Sequence, residues 1–281
     1  MKKSGLILSV IFVLLGTGCF KHREAPYRPV TAKTLAEAVA KQATVECVNL
    51  SGQAVAALPR ELTSMPKLGM LWLREAQGLT SLAGLSEIKS LRRLDLSSTK
   101  LSTVPSEVFA LKELEHLYLA DNGIATLPAS IGGMTGVTYL NLDRNQLSGL
   151  PPEIGQLTGL RWLRLNENKL PALPQELSKL TLLQRVYLRQ NQFATVPECL
   201  KGLPLLEDIS LSGNAISRIP DWMTELPKLR QVEFDGCPIT QLPGKLDGWK
   251  KLQVLSLVRC QIPDAEKARI RAALPKVHVA F

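Results

Sequence analysis

The stretch 160–182, LRWLRLNENKLPALPQELSKLTL, is one complete copy of a unit that fills most of this 281-residue chain. It begins L-x-x-L-x-L-x-x-N-x-L and continues L-P-x-x-L-x-x-L. Leu163 and Leu165, at the fourth and sixth places, show the period of two that predicts a strand with one buried face. Pro174 fixes φ and lacks an amide donor, which suits the first turn of a helical segment. One copy therefore predicts a strand, a loop and a short helical turn.

The unit recurs with a period of 23 residues, and each copy is called a rung below. Its first apolar place is filled in ten successive rungs, without a missed register, by Val45, Leu68, Leu91, Leu114, Val137, Leu160, Leu183, Leu206, Leu229 and Leu252. One rung alone buries too little apolar surface to be stable, and stacking of neighbours produces a continuous core. We therefore predict a ten-rung solenoid over residues 45–262.

The frame L-x-x-L-x-L-x-x-N-x-L is that of the leucine-rich repeat, and the L-P-x-x-L continuation resembles its bacterial LPxxI type. The resemblance covers residues 31–281. It implies an α/β solenoid with a parallel sheet on the concave side and helical or 3-10 segments on the convex side. It also implies a binding role, but the fold hosts many partners and does not name one.

Both ends of a solenoid need a lid over the exposed core. At the first end, residues 31–44 (TAKTLAEAVAKQAT) predict a helical cap, with Leu35, Ala38 and Val39 among the apolar residues at helical spacing. Thr34 is placed to cap this helix, and Glu37 completes a capping box.

At the other end, residues 263–281 predict a C-terminal cap similar to that of the same family. Asp264 is placed to cap a helix through Ala273, with Ile270 and Leu274 facing the core. Residues 277–281 predict a last strand. The basic side chains expected to point outward are Lys267, Arg269 and Arg271.

The ninth place of the rung predicts a ladder of inward side chains that satisfy buried loop backbone. Five rungs carry an amide there: Asn122, Asn145, Asn168, Asn191 and Asn214. The first three rungs carry Gln53, Ala76 and Thr99, so the ladder is incomplete at that end. In the second rung Leu79 and Leu82 also stand one place late, which predicts a local bulge.

Cys237 and Cys260 occupy the ninth place of the last two rungs. Neighbouring rungs lie about 4.8 Å apart, within the Cα separation of roughly 4.4–6.8 Å that a disulfide accepts. An oxidising compartment permits that bond. The alternative is a pair of buried free thiols, because cysteine commonly replaces asparagine in the family.

The third and fifth places of each strand point away from the core onto the concave face. Two of the four tryptophans and three of the four tyrosines fall in these two columns. Aromatic residues with arginine are the composition of protein-interface hot spots. The candidate partner-binding residues are Trp72, Arg93, His116, Tyr118, Tyr139, Trp162, Arg164, Arg185, Tyr187 and Arg189. The plainer interpretation is a solvated strand face with incidental aromatics.

A competing function is glycan binding, in which sugar rings stack on Trp72, Tyr118, Trp162 and Tyr187. Planar polar partners would then be needed beside the rings, and Asn141, Asp143 and Asn166 are the candidates. A third function class is a structural envelope protein without a specific ligand. On the convex side, Cys199 and Trp222 share a place that is usually glutamate, which indicates either a second patch or simple partial burial.

Residues 1–18 predict an export signal, with a basic start at Lys2 and Lys3 and an apolar run over residues 6–15. That run is too short for an ordinary membrane span. The chain has a formal charge of +9, which falls to +7 with these two lysines removed. Export argues against nucleic acid as the partner of this basic chain.

Residues 15–19, LGTGC, resemble a bacterial lipobox, which implies acylation of Cys19 as the first mature residue. Gly16 stands where the lipobox usually has leucine, and a plain cleavable signal is the alternative. Phe20 in place of aspartate implies sorting to the outer membrane. Residues 19–30 then predict an extended tether whose basic side chains either contact anionic lipid or stay solvated: Lys21, Arg23 and Arg28.

Catalytic motifs are absent from the sequence. It contains no G-x-S-x-G, no H-E-x-x-H, no phosphate-binding loop and no CxxC pair. Rungs and caps use up the chain after the tether, so no segment is left for a catalytic domain. We predict a non-enzymatic protein without metal or cofactor, whose partner is a protein held at the membrane surface.

The lipobox resemblance can be tested directly. We expect the mature protein to begin at Cys19 and to carry acyl chains that hold it in the membrane fraction. Cys19→Ser should remove the acylated thiol and release the protein from membranes. Mass spectrometry of the mature N-terminal peptide checks both, and a peptide without acyl chains would contradict the assignment.

Overall fold

A computed structural model describes residues 28–281, so the signal segment 1–18, Cys19 and most of the tether 19–30 lie outside the described residues. Across residues 28–281 the chain forms one parallel sheet whose twelve strands follow chain order. The strands are β1 Thr31–Ala32, β2 Cys47–Asn49, β3 Met70–Trp72, β4 Arg93–Asp95, β5 His116–Tyr118, β6 Tyr139–Asn141, β7 Trp162–Arg164, β8 Arg185–Tyr187, β9 Asp208–Ser210, β10 Gln231–Glu233, β11 Val254–Ser256 and β12 His278–Ala280.

The strand register confirms the predicted solenoid. Strands β2 to β11 pair at a constant offset of 23 residues, as in Cys47 opposite Met70 and Gln231 opposite Val254. The middle residue of each strand, such as Leu163, is buried, and its two neighbours point to the other face. Strands β1 and β12 add one cap strand at each end.

The convex side is built from 3-10 helices rather than α-helices. Across residues 28–281 they are Arg60–Ser64, Leu85–Glu87, Ser106–Ala110, Ala129–Gly133, Pro152–Gln156, Gln175–Lys179, Glu198–Leu200 and Asp221–Glu225. In the sixth rung Pro174 stands just before the helix, and Leu177 and Leu180 are buried. A 3-10 helix rises about 2.0 Å per residue against about 1.5 Å for an α-helix. Fewer residues therefore span the convex side within a short period.

The eighth place of every rung adopts left-handed backbone, which the sequence did not indicate. The ten φ values lie between 51° and 73°, and only three of the residues are glycine: Gly52, Glu75, Ser98, Asp121, Arg144, Glu167, Gln190, Gly213, Gly236 and Arg259. This conformation costs a non-glycine residue about 1–2 kcal/mol. The turn brings the following, ninth side chain into the solenoid, where its hydrogen bonds offset that cost.

The predicted asparagine ladder is confirmed and links successive rungs. Asn168 Nδ2 donates to Leu165 O of its own rung at 3.1 Å and to Leu142 O of the preceding rung at 2.9 Å. Its Oδ1 accepts from Leu147 N at 3.0 Å. Leu165 O also accepts from Asn191 at 2.9 Å. A strand-end carbonyl thus serves two amides, one from each rung.

At the ends of the solenoid other residues replace the asparagines. Cys237 and Cys260 are free thiols, and the Sγ atoms donate to Leu211 O at 3.4 Å and to Phe234 O at 3.2 Å. Burial raises the pKa of Cys260 to about 11, which keeps the thiol protonated. Each thiol takes the place of one asparagine donor, and no disulfide joins them in this structure.

The N-terminal cap differs from the predicted helix over residues 31–44. Its helix, α1, covers only Leu35–Ala40, because β1 precedes it and pairs with β2. The Thr34 hydroxyl accepts from Glu37 N at 3.1 Å, as predicted. Glu37, however, accepts from Lys33 N rather than from Thr34 N. Val39 is exposed, so Ala38 is the helical residue that closes the core.

The C-terminal helix α2, Asp264–Ala273, has the predicted range, and Ile270 and Leu274 are buried. Asp264 is its first helical residue and not its cap, a position held by Pro263. Arg269 does not simply point outward. Its guanidinium donates to Leu242 O and Pro243 O in the ninth rung. That rung has no 3-10 helix, and Arg269 supplies donors to its loop carbonyls instead.

The second rung contains the predicted bulge. Ala57 pairs with Ser81, an offset of 24 residues, whereas Ala54 pairs with Gln77 at the regular 23. Gly78 accommodates the extra residue with φ of 75°. Register returns by the next strand, so the bulge shifts one loop and leaves the concave columns aligned.

The ladder makes unequal contributions to stability along the chain. Asn168→Ala should raise the cost of folding by roughly 1–3 kcal/mol, because Leu147 N loses its acceptor and two carbonyls lose a donor. Cys237→Ala removes one weak thiol donor and should cost less than about 1 kcal/mol. Urea unfolding of the two variants beside wild type measures the difference. Equal losses would contradict the ladder's role.

Candidate partner-binding surface

The strand register brings the predicted concave residues together as two parallel columns. His116, Tyr139, Trp162 and Arg185 are successive Cα partners in the third-place column. Tyr118, Asn141, Arg164 and Tyr187 are successive partners in the fifth-place column. Each side chain is held on this face because the leucine or valine between the columns is buried.

Five rings on the first half of the concave face form a continuous aromatic strip, defined as Trp72, His116, Tyr118, Tyr139 and Trp162. Trp72 meets the edge of Tyr118 with ring centroids 5.9 Å apart. Tyr139 lies 5.0 Å from Tyr118 and 5.6 Å from Trp162, and it stacks on His116 at 5.6 Å. Aromatic pairs at such distances attract one another beyond the effect of area burial. Trp162 at the end of the strip remains 36% exposed.

Two arginines continue the aromatic strip into the seventh rung. The guanidinium of Arg185 lies over the Trp162 ring at 4.4 Å from its centroid. That of Arg164 lies over Tyr187 at 5.3 Å. Cation–π contacts of this kind hold the charged groups flat against the sheet surface.

The aromatic strip is uncharged at neutral pH. Burial lowers the pKa of His116, and the positive charge of Arg93 lowers it further. Burial also raises the pKa of Tyr118, Tyr139 and Tyr187. A neutral imidazole and protonated phenols are the forms that favour contact with an apolar or aromatic partner group.

Arg164 and Arg185 differ in how their charges are satisfied. Arg164 Nε donates to Asp143 Oδ2 at 2.7 Å, and the other Asp143 oxygen accepts from Asn166 N at 2.8 Å. The Asp143 side chain is only 2% exposed. Arg164 is therefore the counter-charge of a buried carboxylate, and its fork is directed into the protein.

Arg185 has a counter-charge but no directed bond. Its Nε lies 2.8 Å from Asp208 Oδ2, yet the N–H does not point at that oxygen, and Nε is buried without a hydrogen-bond partner. Distance alone does not make a hydrogen bond. Burial raises the pKa of Asp208, and the Arg185 charge opposes that rise only in part. The two groups attract one another and remain incompletely paired.

Arg93 and Arg189 lie at the margins of the cluster. Arg93 is exposed beside the aromatic strip, with its Nη1 3.9 Å from Met70 Sδ. Arg189 is exposed at the seventh place, outside both columns, and its backbone N donates to Asn166 Oδ1 at 2.9 Å. The structure thus brings together all the predicted aromatics, with Arg164 and Arg185, and leaves these two arginines on the rim.

A seventh-place ladder went unrecognised in the sequence. Its side chains accept from the backbone N–H one rung further on, as Asp143 does from Asn166 and Ser212 does from Asp235. The signal was a recurrent polar residue two places after the fifth. The proposed glycan partners are engaged here, since Asn166 accepts from Arg189 N and Asn141 accepts from Asp143 N.

On the convex side, Cys199 and Trp222 are both buried. Trp222 Nε1 donates to Glu198 at 2.9 Å. An open groove of about 640 Å³ runs beside the indole edge, lined by charges of both signs that include Lys201 and Asp221. Partial burial against neighbouring turns accounts for the two residues.

Within residues 28–281 no cluster of three or more His, Cys, Asp or Glu side chains is arranged to hold a metal ion. In the same part of the chain no helix has the length and apolar character needed to cross a membrane.

The comparisons with known proteins agree with the fold. The family model for the leucine rich repeat matches residues 89–147 and 135–193. No curated protein sequence matches the chain. A solved leucine-rich repeat protein of Leptospira interrogans is 28% identical, with 90% of this chain and 75% of that chain covered and a TM-score of 0.64.

Two further solved structures share the architecture. An internalin of Listeria monocytogenes is 22% identical with a TM-score of 0.72, covering 88% of this chain and 70% of that one. The ectodomain of an Arabidopsis thaliana membrane receptor kinase, in complex with Casparian strip integrity factor 2, is 27% identical with a TM-score of 0.64. That match covers 80% of this chain and 28% of the receptor chain. With the matched repeats and the solenoid, these likenesses make the chain a leucine-rich repeat protein.

The two arginines should separate in a stability measurement. Arg164→Met should cost roughly 2–3 kcal/mol, because it leaves the Asp143 carboxylate buried without its counter-charge; a fully buried pair would cost more. Arg185→Met should cost less than about 1 kcal/mol, since Asp208 is 19% exposed and lacks a directed bond to lose. Chemical unfolding of both variants measures this, and a larger loss for Arg185→Met would reverse the assignment.

Proposed function

We propose that this protein is a non-enzymatic scaffold that binds a partner protein on its concave surface at the bacterial cell envelope. The observation that carries the proposal is the aromatic strip that ends in Trp162 with Arg185 stacked on it. Large aromatic groups and arginine at the centre of a surface are the usual anchors of protein interfaces. The core does not require these rings, because the inward places are already filled by leucine and valine.

The likeness to other solenoids supports a binding role. The plant receptor ectodomain, which shares this fold, is in complex with Casparian strip integrity factor 2. A shared fold does not carry the partner across, so the aromatic strip and its arginines are the features that define what this chain binds.

The envelope assignment rests on the sequence before the solenoid. An export signal over residues 1–18 and an acylated Cys19 would give a membrane anchor, and Phe20 favours the outer membrane. The tether over residues 19–30 would then hold the solenoid close to the lipid surface. A single acyl chain binds weakly, so additional chains or the basic tether residues would complete the attachment.

Glycan binding is the second candidate, and the same rings support it, because sugar faces stack on exposed aromatics. Its polar partners are less well provided. Asp143 is held by Arg164 and Asn166, and Asn141 and Asn166 each accept a backbone N–H. A protein partner needs fewer free planar groups beside the rings, and we therefore place it first.

Affinity capture tests the proposal. A soluble form beginning at Lys21 is used as bait against envelope extracts of the producing bacterium, beside Trp162→Ala/Tyr187→Ala and a convex-side control, Gln175→Ala. Wild type and control should retain the same protein, and the double variant should lose at least about tenfold of it. All three forms must first show equal melting temperatures.

Two other outcomes would change the conclusion. Selective depletion of the wild type by insoluble cell wall, without a captured protein, would favour the glycan function. Equal retention by all three baits would exclude the concave surface as the binding site.

A further inference from the structure

The seventh rung presents two guanidinium groups on either side of one aromatic ring. Arg185, Tyr187 and Arg189 alternate along β8 and its extension, so all three lie on the concave side. Four residues of extended chain separate the arginine Cα atoms by about 13 Å. This arrangement occurs beside the exposed end of the aromatic strip, where Trp162 underlies Arg185.

The charges of the surrounding rungs do not cancel. In the third, fifth and seventh places of rungs five to seven, the charged residues are Asp143, Arg164, Arg185 and Arg189. Asp143 neutralises Arg164 inside the surface. Arg185 lies beside Asp208 of the eighth rung without a hydrogen bond from Nε, and Arg189 is exposed. The surface at this point therefore favours an anionic group.

We propose that the concave surface recognises an acidic segment of its partner polypeptide, with side-chain carboxylates paired to Arg185 and Arg189 and adjacent aromatic or aliphatic side chains on the aromatic strip. This inference rests on the proposed protein-binding function. A planar carboxylate matches the two-pronged edge of a guanidinium, and Arg185 is already held flat on the indole. A polypeptide also supplies carboxylates and apolar groups within a few ångströms of one another, as the surface requires.

The opposite end of the sheet gives the segment a direction. Rungs eight and nine carry Asp208, Glu233 and Asp235, and the latter two are held in place by hydrogen bonds from Ser210 and Ser256. These carboxylates repel an acidic group placed over them. The carboxylates of the partner thus lie over the seventh rung, and its apolar residues extend towards Trp72.

The test uses the full mature chain and a fluorescently labelled random copolymer of glutamate and tyrosine, which samples many spacings of carboxylates and rings. The matched probe is the same copolymer with glutamine in place of glutamate. The variants are Arg185→Met/Arg189→Met, the single Arg189→Met at an exposed site, and the control Arg161→Met. Arg161 is exposed one place before β7, so its replacement changes the net charge equally outside the columns.

We expect the glutamate copolymer to bind wild type and Arg161→Met alike, at least about tenfold more tightly than the glutamine copolymer. Arg185→Met/Arg189→Met should lose that preference, and Arg189→Met should lose part of it. Raised salt should weaken binding, because exposed charges are screened.

Equal affinity for the two copolymers would overturn the inference and leave the protein-binding function standing on the aromatic strip alone. No binding of either copolymer would overturn it as well, while capture by the wild-type bait would still support the broader function. A sulfated polysaccharide that displaces the glutamate copolymer from wild type, but not from the double variant, would replace the acidic polypeptide with an anionic glycan.

Discussion

The asparagine ladder is the interaction on which the middle of this solenoid depends. A strand-end carbonyl such as Leu165 O accepts from the amide of its own rung and from that of the next. Both lone pairs of the carbonyl are then used, and the distance between rungs is fixed from inside the loop. The left-handed eighth residue makes this geometry available, because it turns the ninth side chain inward.

Fixed rung spacing also determines what the concave face can do. Neighbouring strands of a sheet lie about 4.7–4.9 Å apart, and the rings of Tyr118, Tyr139 and Trp162 meet at 5.0–5.6 Å. Aromatic residues placed in register therefore contact one another without further adjustment. They bury part of their surface mutually and present a rigid apolar strip, which reduces the entropy lost when a partner binds.

The sequence was sufficient for those features that depend on periodicity. The 23-residue frame placed Trp162 opposite Arg185 and Arg164 opposite Tyr187, as the register confirms. It did not predict the left-handed eighth place, because residues such as Glu167 are unusual in that conformation. Nor did it predict that Arg269 serves the ninth rung, since that contact joins positions outside the repeat. Periodicity gives the position of a side chain but not the direction of its hydrogen bonds.

That limit matters most for the two central arginines, which look equivalent in the sequence. Arg164 is directed inward by Asp143, a carboxylate so deeply buried that it needs a permanent counter-charge. Arg185 is held by ring contact with Trp162 and by a nearby but poorly aligned Asp208. A surface that binds a partner must contain groups whose interactions are incomplete in the free protein. Arg185 is such a group, and Arg164 supports the surface on which it lies.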